Sequence, residues 1–533
     1  MKKSVIRKTL SILLCLTLIF SFSAVAFATP DVTPVIIVSG MGSRPMTDAE
    51  TGKQIFPPEA GPIVKGVFLA LGPVLLALMR SPALFDKYGA KQLHEMLGGL
   101  ACDEDGNSVR PVESMLYPES VDHYKAEFEN ETKTEVGMVR KFGESIGWEN
   151  TYFFNYDWRM SPLDIADDLD VMVQHVKEEK NVDRVDIIAL SMGGCVMTAY
   201  LAKYGSDSIH NLVMASTAFQ GVDMVGALFT GDMQLTVTAL LDYFVPFLAS
   251  LNLKVLPKVL ARMSAAAKKD GMETTNAYLQ DVVNGIQPAI YEQILMDTFA
   301  RSLGVWSFIP ADQYDEAKAY IAQYATVSDA FMEKAEAMRD VQVNAEKLLK
   351  KACENGTNVY IVGAYGFAGI PVTSKAENHT DNLIDTYHMT GGCTVAPYGK
   401  TLNDVEGVTV TNGCGNKSHY HVSTDGVIYA GACMFPETTW IIKGMSHVEF
   451  GYDHETSDLA LWLTTAKDPV DIHTDARYPQ FTELDRSSGK LISLTQVNGQ
   501  SAPEAEQPAP TFLQKIADFF NGLLEKVKSI FQR

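Results

Sequence analysis

Short β-branched or aromatic runs, most of them closed by glycine or polar residues and followed by a loop or helical pattern, limit this chain to few architectures. "PVIIVSG" (34–40), "TYFFNYDW" (151–158), "RVDIIAL" (184–190), "NLVMAST" (211–217) and "NVYIVGAY" (358–365) are the clearest. The helix expected after "DWRMSP" has a good start: Ser161 suits the cap and Pro162 the first helical position, and Ile165, Leu169, Val171, Val173 and Val176 supply an apolar face. Strands alternating with helices predict a mostly parallel sheet with helices on both faces.

The rhythm changes after Phe219, where roughly 130 residues read as helices before the strand at 358. An insertion of that length predicts a helical cap over 221–350, dividing a core of 29–220 (with an earlier insertion at 45–145) from a core of 351–480. The apolar stretches at 66–79 and 240–260 are too short and too interrupted by proline to span a membrane. Two readings of them stay open: buried cap helices, or a movable lid whose inner face meets lipid.

The ends of the chain read differently. Lys2, Lys3, Arg7 and Lys8, the apolar stretch Leu10 to Phe22 and "AFA" at 26–28 form a signal peptide pattern over 1–28, which predicts export. Its removal takes the net charge from −21 to −25, a balance that disfavours nucleic acid. Residues 481–510 read as a linker, and 511–533 as an amphipathic helix of net charge +2, either docked on a protein surface or lying at a lipid interface.

Six cysteines beyond Cys15 are too few for a disulfide scaffold; Cys393 and Cys414 share one polar insertion and are a candidate pair, while Cys195 reads as a small buried filler. His419 and His421 alternate on one strand face but lack a third ligand at a recognisable spacing, so no metal is expected. Phosphate-cradling glycine loops of the standard forms are missing, and no cofactor is expected.

"ALSMGG" (189–194) sits between a strand and a helical pattern, as a nucleophilic serine elbow would, with Ala189 in place of the usual first glycine. A serine hydroxyl needs a base, and the base a carboxylate, in the chain order serine, acid, histidine. Asp425 in the Asp-Gly turn of "TDGVI", and His447 in the loop after the strand Thr438 to Ile442, meet that order. His454 is the rival base. The oxyanion of a tetrahedral intermediate needs two backbone donors, for which Met192 and Met41 are the candidates, the latter in a loop made compact by Gly40 and Gly42.

"PVIIVSGMGS", "YDWRMSP", "ALSMGG", "VYIVGAYGFAGIP", "TDGVI" and "GMSHVEF" together resemble the lecithin:cholesterol acyltransferase group of α/β-hydrolases, which includes secreted bacterial lipases. The resemblance spans 34 to about 465, with gaps at both insertions, and implies an α/β-hydrolase fold with Ser191, Asp425 and His447 as the triad. Leu190 departs from the histidine usual there, and the roughly 60 residues between the strand at 358 and Asp425 leave Asp381 and Asp385 as further acid candidates. The expected function is hydrolysis of a lipid ester, an acylglycerol or phospholipid. Acyl transfer to an alcohol, or a binding protein that has lost its chemistry, are the alternatives, and a peripheral lipid contact through the C-terminal helix is the expected partner interaction.

Overall fold

The computed structural model describes residues 32–57, 94, 97–131, 135–250, 272–410, 421–452 and 454–494. The expected signal peptide, the apolar stretch at 66–79, Cys414, His419 and the C-terminal helix lie outside them.

Eight strands form the main sheet: β1 (Val35–Val38), β2 (Thr151–Phe154), β3 (Val185–Leu190), β4 (Ile209–Ala215), β5 (Asn358–Tyr365), β6 (Thr439–Lys443), β7 (Phe481–Asp485) and β8 (Lys490–Ser493). Their order is β8-β7-β6-β5-β4-β3-β1-β2. Every neighbouring pair is parallel except β7–β8. The first five were legible because their apolar runs are buried on both faces. Ile36, Val38, Ile187, Ala189, Leu212 and Met214 point to one side, where they meet the helices Pro162–Lys180, Gly193–Tyr204, Asp329–Val343 and Ala345–Glu354. Val35, Ile37, Ile188, Leu190, Val213 and Val362 point to the other, against helices Glu135–Ile146 and Glu455–Thr464. Burying one such side chain is worth ~1.5–3 kcal/mol, so two cores of this size fix the register firmly.

Helix Pro162–Lys180 begins as expected, with Pro162 first and the Ser161 hydroxyl accepting from the Leu163 N–H. Val171 is a correction: it is 70% exposed. It follows Leu169 by two positions, about 200° round the helix, so Met172 and Ala166 complete the buried stripe instead. Residues 481–494 correct the linker expectation, because β7 and β8 extend the sheet. As a half-exposed hairpin at the sheet edge, they carry polar residues that obscure the strand signal.

The cap is smaller than 221–350. Helices Asp329–Val343 and Ala345–Glu354 pack on Gly193–Tyr204 in the sheet's own helical layer. What stands over the strand ends is Asp223–Phe229, Val237–Ser250, and Glu273–Ile290 running into a π-helical turn at Tyr291–Leu295. The Tyr291 hydroxyl bonds the Leu228 carbonyl, and the Val237 N–H donates to Asn276 Oδ1 at 3.0 Å, which joins these pieces. No helix among the described residues is long and apolar enough to cross a membrane.

"YDWR" fastens core, insertion and cap. Arg159, 2% exposed, donates to both carboxylate oxygens of Asp157 at 3.0 and 2.7 Å, and to Ser108 Oγ at 3.0 Å and the Leu100 carbonyl at 3.3 Å. The Arg159 carbonyl accepts from the Gly304 N–H and Ser302 hydroxyl of the cap. Tyr156 reaches back to the Ser39 carbonyl after β1, at 2.7 Å.

Candidate active site

Ser191 follows β3 directly and holds φ at 53°, a left-handed conformation unfavourable for a residue with a side chain. Neighbours over-determine it: its N–H donates to the Ala215 carbonyl, and its own carbonyl accepts from Gly194 and Ala218. A Cβ at Gly193 would lie 2.7 Å from the Val38 carbonyl oxygen, and one at Gly194 would lie 2.4 Å from Thr217 Cβ. Both glycines are therefore required for the helix to start so close to the sheet. Ala189 is fully buried in the strand, and its methyl fits where the usual motif has glycine.

His447 stands in the loop after β6, at the start of a 3-10 turn His447–Gly451. Ser446 caps that turn reciprocally with Glu449, which is gripped by Arg486 at 2.6 and 2.7 Å. Burial opposes the charge on Glu449, yet Arg486 and the Ser446 hydrogen bonds outweigh it and hold the carboxyl below its ordinary value. The ring so positioned places Nε2 at 2.9 Å from Ser191 Oγ. Its Nδ1 lies 2.7 Å from Oδ2 of Asp381, and its backbone N–H donates to the Asp381 carbonyl at 2.6 Å.

Asp381 and not Asp425 therefore partners the histidine, which corrects the expected constellation. Asp381 is fully buried, and its other oxygen accepts from the N–H groups of Leu383 and Ile384 at 3.1 and 2.8 Å. A carboxylate can only accept, so Nδ1 carries the ring proton and Nε2 is left to accept from the serine hydroxyl. Asp425 is occupied elsewhere: Lys443 lies at 2.9 Å, Tyr365 Oη at 3.0 Å and Ser423 Oγ at 2.6 Å. Burial raises its pKa, but Lys443 and these hydrogen bonds outweigh that and hold it below the usual carboxylate value. The signal that singles out Asp381 is a hairpin, Phe367–Ala368 paired with His379–Thr380, which returns the chain to the sheet end just ahead of it. His454 is the cap residue of helix Glu455–Thr464, apart from this cluster.

Met41 follows β1 beside Gly42, whose φ is +76°, and Met192 follows the serine. Neither amide makes a backbone hydrogen bond among the described residues. Met41, Ser191 and His447 open into a cavity of about 540 Å³ whose other walls are almost wholly apolar, with Leu228, Phe229, Leu295, Phe299 and Phe308 from the cap side. Leu383 and Val448, close in the chain to Asp381 and His447, line it too.

Cys195 is a buried filler as expected, its thiol pushed up to about 12 by burial. His421 is buried with Nδ1 on Gln480 Oε1 at 2.9 Å. Two other groups among the described residues bring ligand-type side chains together, Glu119–His175–Glu179 at the surface and Asp223–Asp385–His388 beside the site.

Sheet order, the strained serine turn, and a histidine loop after the following strands define an α/β-hydrolase fold. Within it, residues 160–282, which include the serine turn, match the family model described as Hydrolase_4, serine aminopeptidase, S33. A chain of the solved crystal structure of a Tle4–Tli4 complex is similar at 11% identity and a TM-score of 0.30, over 82% of this chain and 99% of that one. No curated protein matches in sequence.

Proposed function

We propose that the chain is an exported serine hydrolase that cleaves carboxylic esters of long acyl chains, an acylglycerol or phospholipid, with Ser191 as nucleophile, His447 as base and then acid, and Asp381 as the group that orients it. The observation that carries this reading is the chain of contacts from Asp381 through His447 to Ser191, opening on an apolar cavity. Ser191 Oγ attacks the carbonyl carbon while its proton passes to His447 Nε2, and the Met41 and Met192 amides receive the oxyanion. Collapse of the intermediate expels the alcohol, which takes that proton. Water then attacks the acyl-enzyme, gives a proton to Nε2, and the second collapse releases the acid and returns the proton to Ser191.

A Ser-His-Asp set serves amides as well as esters, and the matched family model is described as a serine aminopeptidase. An aminopeptidase needs an anionic group to receive the free ammonium of its substrate. The described cavity lining holds no carboxylate, whereas its leucine and phenylalanine side chains suit an acyl chain. The likeness of "YDWR", "ALSMGG" and "GMSHVEF" to the lecithin:cholesterol acyltransferase group supports the same choice. The amphipathic segment 511–533 would add a peripheral contact with a lipid surface.

The test is kcat/KM for a series of p-nitrophenyl esters of rising acyl length, alongside amino-acyl p-nitroanilides, with Ser191→Ala as control. Rates that climb with chain length, with no anilide turnover, support the proposal; anilide turnover exceeding ester turnover overturns it. Adding a long-chain alcohol or a sterol and analysing products separates hydrolysis from acyl transfer.

A further inference from the structure

A second polar cluster joins the turn of Asp381 to the cap. Asp385, 3% exposed, accepts from the backbone N–H of Asp223 at 2.8 Å and from Asn378 Nδ2 at 2.9 Å. Asp223, the first residue of helix Asp223–Phe229, accepts from Asn378 Nδ2 at 2.8 Å and Gln313 Nε2 at 3.0 Å, and meets His388 Nε2 at 3.1 Å. Each of the four carboxylate oxygens thus has a donor or the imidazole beside it. That satisfaction favours a hydrogen-bonded clamp over a cation site in the same cluster.

The connections run both ways from this clamp. On one side, Thr380 bridges Asp385 and the Asp381 N–H donates to the Ile384 carbonyl, so Asp385 closes the turn whose N–H groups hold the Asp381 carboxylate. On the other, the helix of Asp223 supplies Met224, Val225, Leu228 and Phe229 to the cavity wall. It follows closely on Ala218, which donates to the Ser191 carbonyl. We propose that Asp385, with Asp223 and His388, is a positioning clamp that couples the catalytic acid's turn to the cap helix lining the acyl cavity. The inference rests on the triad proposed above.

Burial, and then the neighbouring Asp223 charge, push Asp385 up to about 6. Burial works against charge on both Asp223 and His388, but their mutual contact outweighs it, lowering the former and raising the latter. Lys375 and Asp312 are the other charged groups facing the cluster. As pH falls through about 6, a proton on Asp385 removes one acceptor from a clamp that needs both. Activity then loses a second contribution beyond the protonation of the catalytic base.

The experiment uses the full chain and its Asp385→Ala and Asp385→Asn variants, with kcat and KM for a butyrate ester followed across pH, melting temperature, and fluorophosphonate labelling. Asp385→Ala should lower kcat by about tenfold or more with KM little changed, since a slightly displaced acid costs rate rather than binding. Asp385→Asn keeps an acceptor for the Asp223 N–H but sets an NH₂ against Asn378 Nδ2, as the protonated acid does with its hydroxyl, so its kcat at alkaline pH should lie between those of Asp385→Ala and wild type. Its acid limb should flatten to a single ionisation where the wild type is steeper. A lowered melting temperature with unchanged kcat and pH profile in both variants overturns the clamp, as does activity lost to EDTA and restored by Ca²⁺ or Zn²⁺. Wild type that resists labelling and stays as active as Ser191→Ala would instead sink the triad; labelled, active wild type with unaffected variants sinks only the clamp.

Discussion

Replacing Asp381 by Asn changes one atom and reverses the polarity of the site. Its oxygen Oδ1 already accepts from Leu383 and Ile384, so the new amide oxygen keeps that place and the NH₂ faces His447 Nδ1. Two donors cannot meet there, so Nδ1 gives up its proton and becomes the acceptor, and Nε2–H points at Ser191. A base already protonated toward its nucleophile cannot take another proton. The expected loss in kcat is about ten-thousand-fold, ~5 kcal/mol in the barrier, with little loss of stability. Asp425→Asn breaks a partly exposed pairing with Lys443, worth about 1 kcal/mol or less, and should leave kcat within about threefold. Both variants are measured on a short soluble ester, with circular dichroism to verify folding. Asp381→Asn within tenfold of wild type while Asp425→Asn is inactive would refute the assignment.

Gly194→Ala places a methyl 2.4 Å from Thr217 Cβ and should cost about 1–3 kcal/mol of stability while displacing the serine turn, measured by urea unfolding and kcat together. Arg159→Ala strands the buried Leu100 carbonyl and leaves Asp157 without its ion-pair partner, and should destabilise by about 3 kcal/mol, the midpoint of urea unfolding falling accordingly. Glu449, whose folded pKa is depressed, contributes stability that is fully present above the ordinary glutamate value of about 4.3 and is lost as pH falls through the lower folded value. Glu449→Gln should therefore lower the melting temperature most at neutral pH, and the gap from wild type should narrow in acid.

How much of this was legible depends on how local the determining physics is. β1 to β5 are apolar runs buried on both faces, and the Ser161–Pro162 start and the Gly193–Gly194 elbow are short-range stereochemistry, so their residue types state the answer. His447 was readable for the same reason, as the loop residue between a strand and a helix. The acid was not, because Asp381, Asp385, Asp404 and Asp425 all lie between β5 and β6 and only folding chooses among them. The choice is made by a hairpin of two-residue strands, too short to leave a periodic pattern, and by Lys443 claiming Asp425. The cap boundary was hidden likewise: helices Asp329–Val343 and Ala345–Glu354 carry the same periodicity whether they cover a cavity or a sheet.

Activation of Ser191 by His447 is the central claim, and the most direct measurement is the site and rate of fluorophosphonate modification, read by mass spectrometry of the intact protein and its peptides. One adduct per chain on the peptide carrying Ser191 is expected, absent in Ser191→Ala and slowed by orders of magnitude in His447→Ala. Folded wild type that takes up no label, or takes it on another residue, would contradict the account.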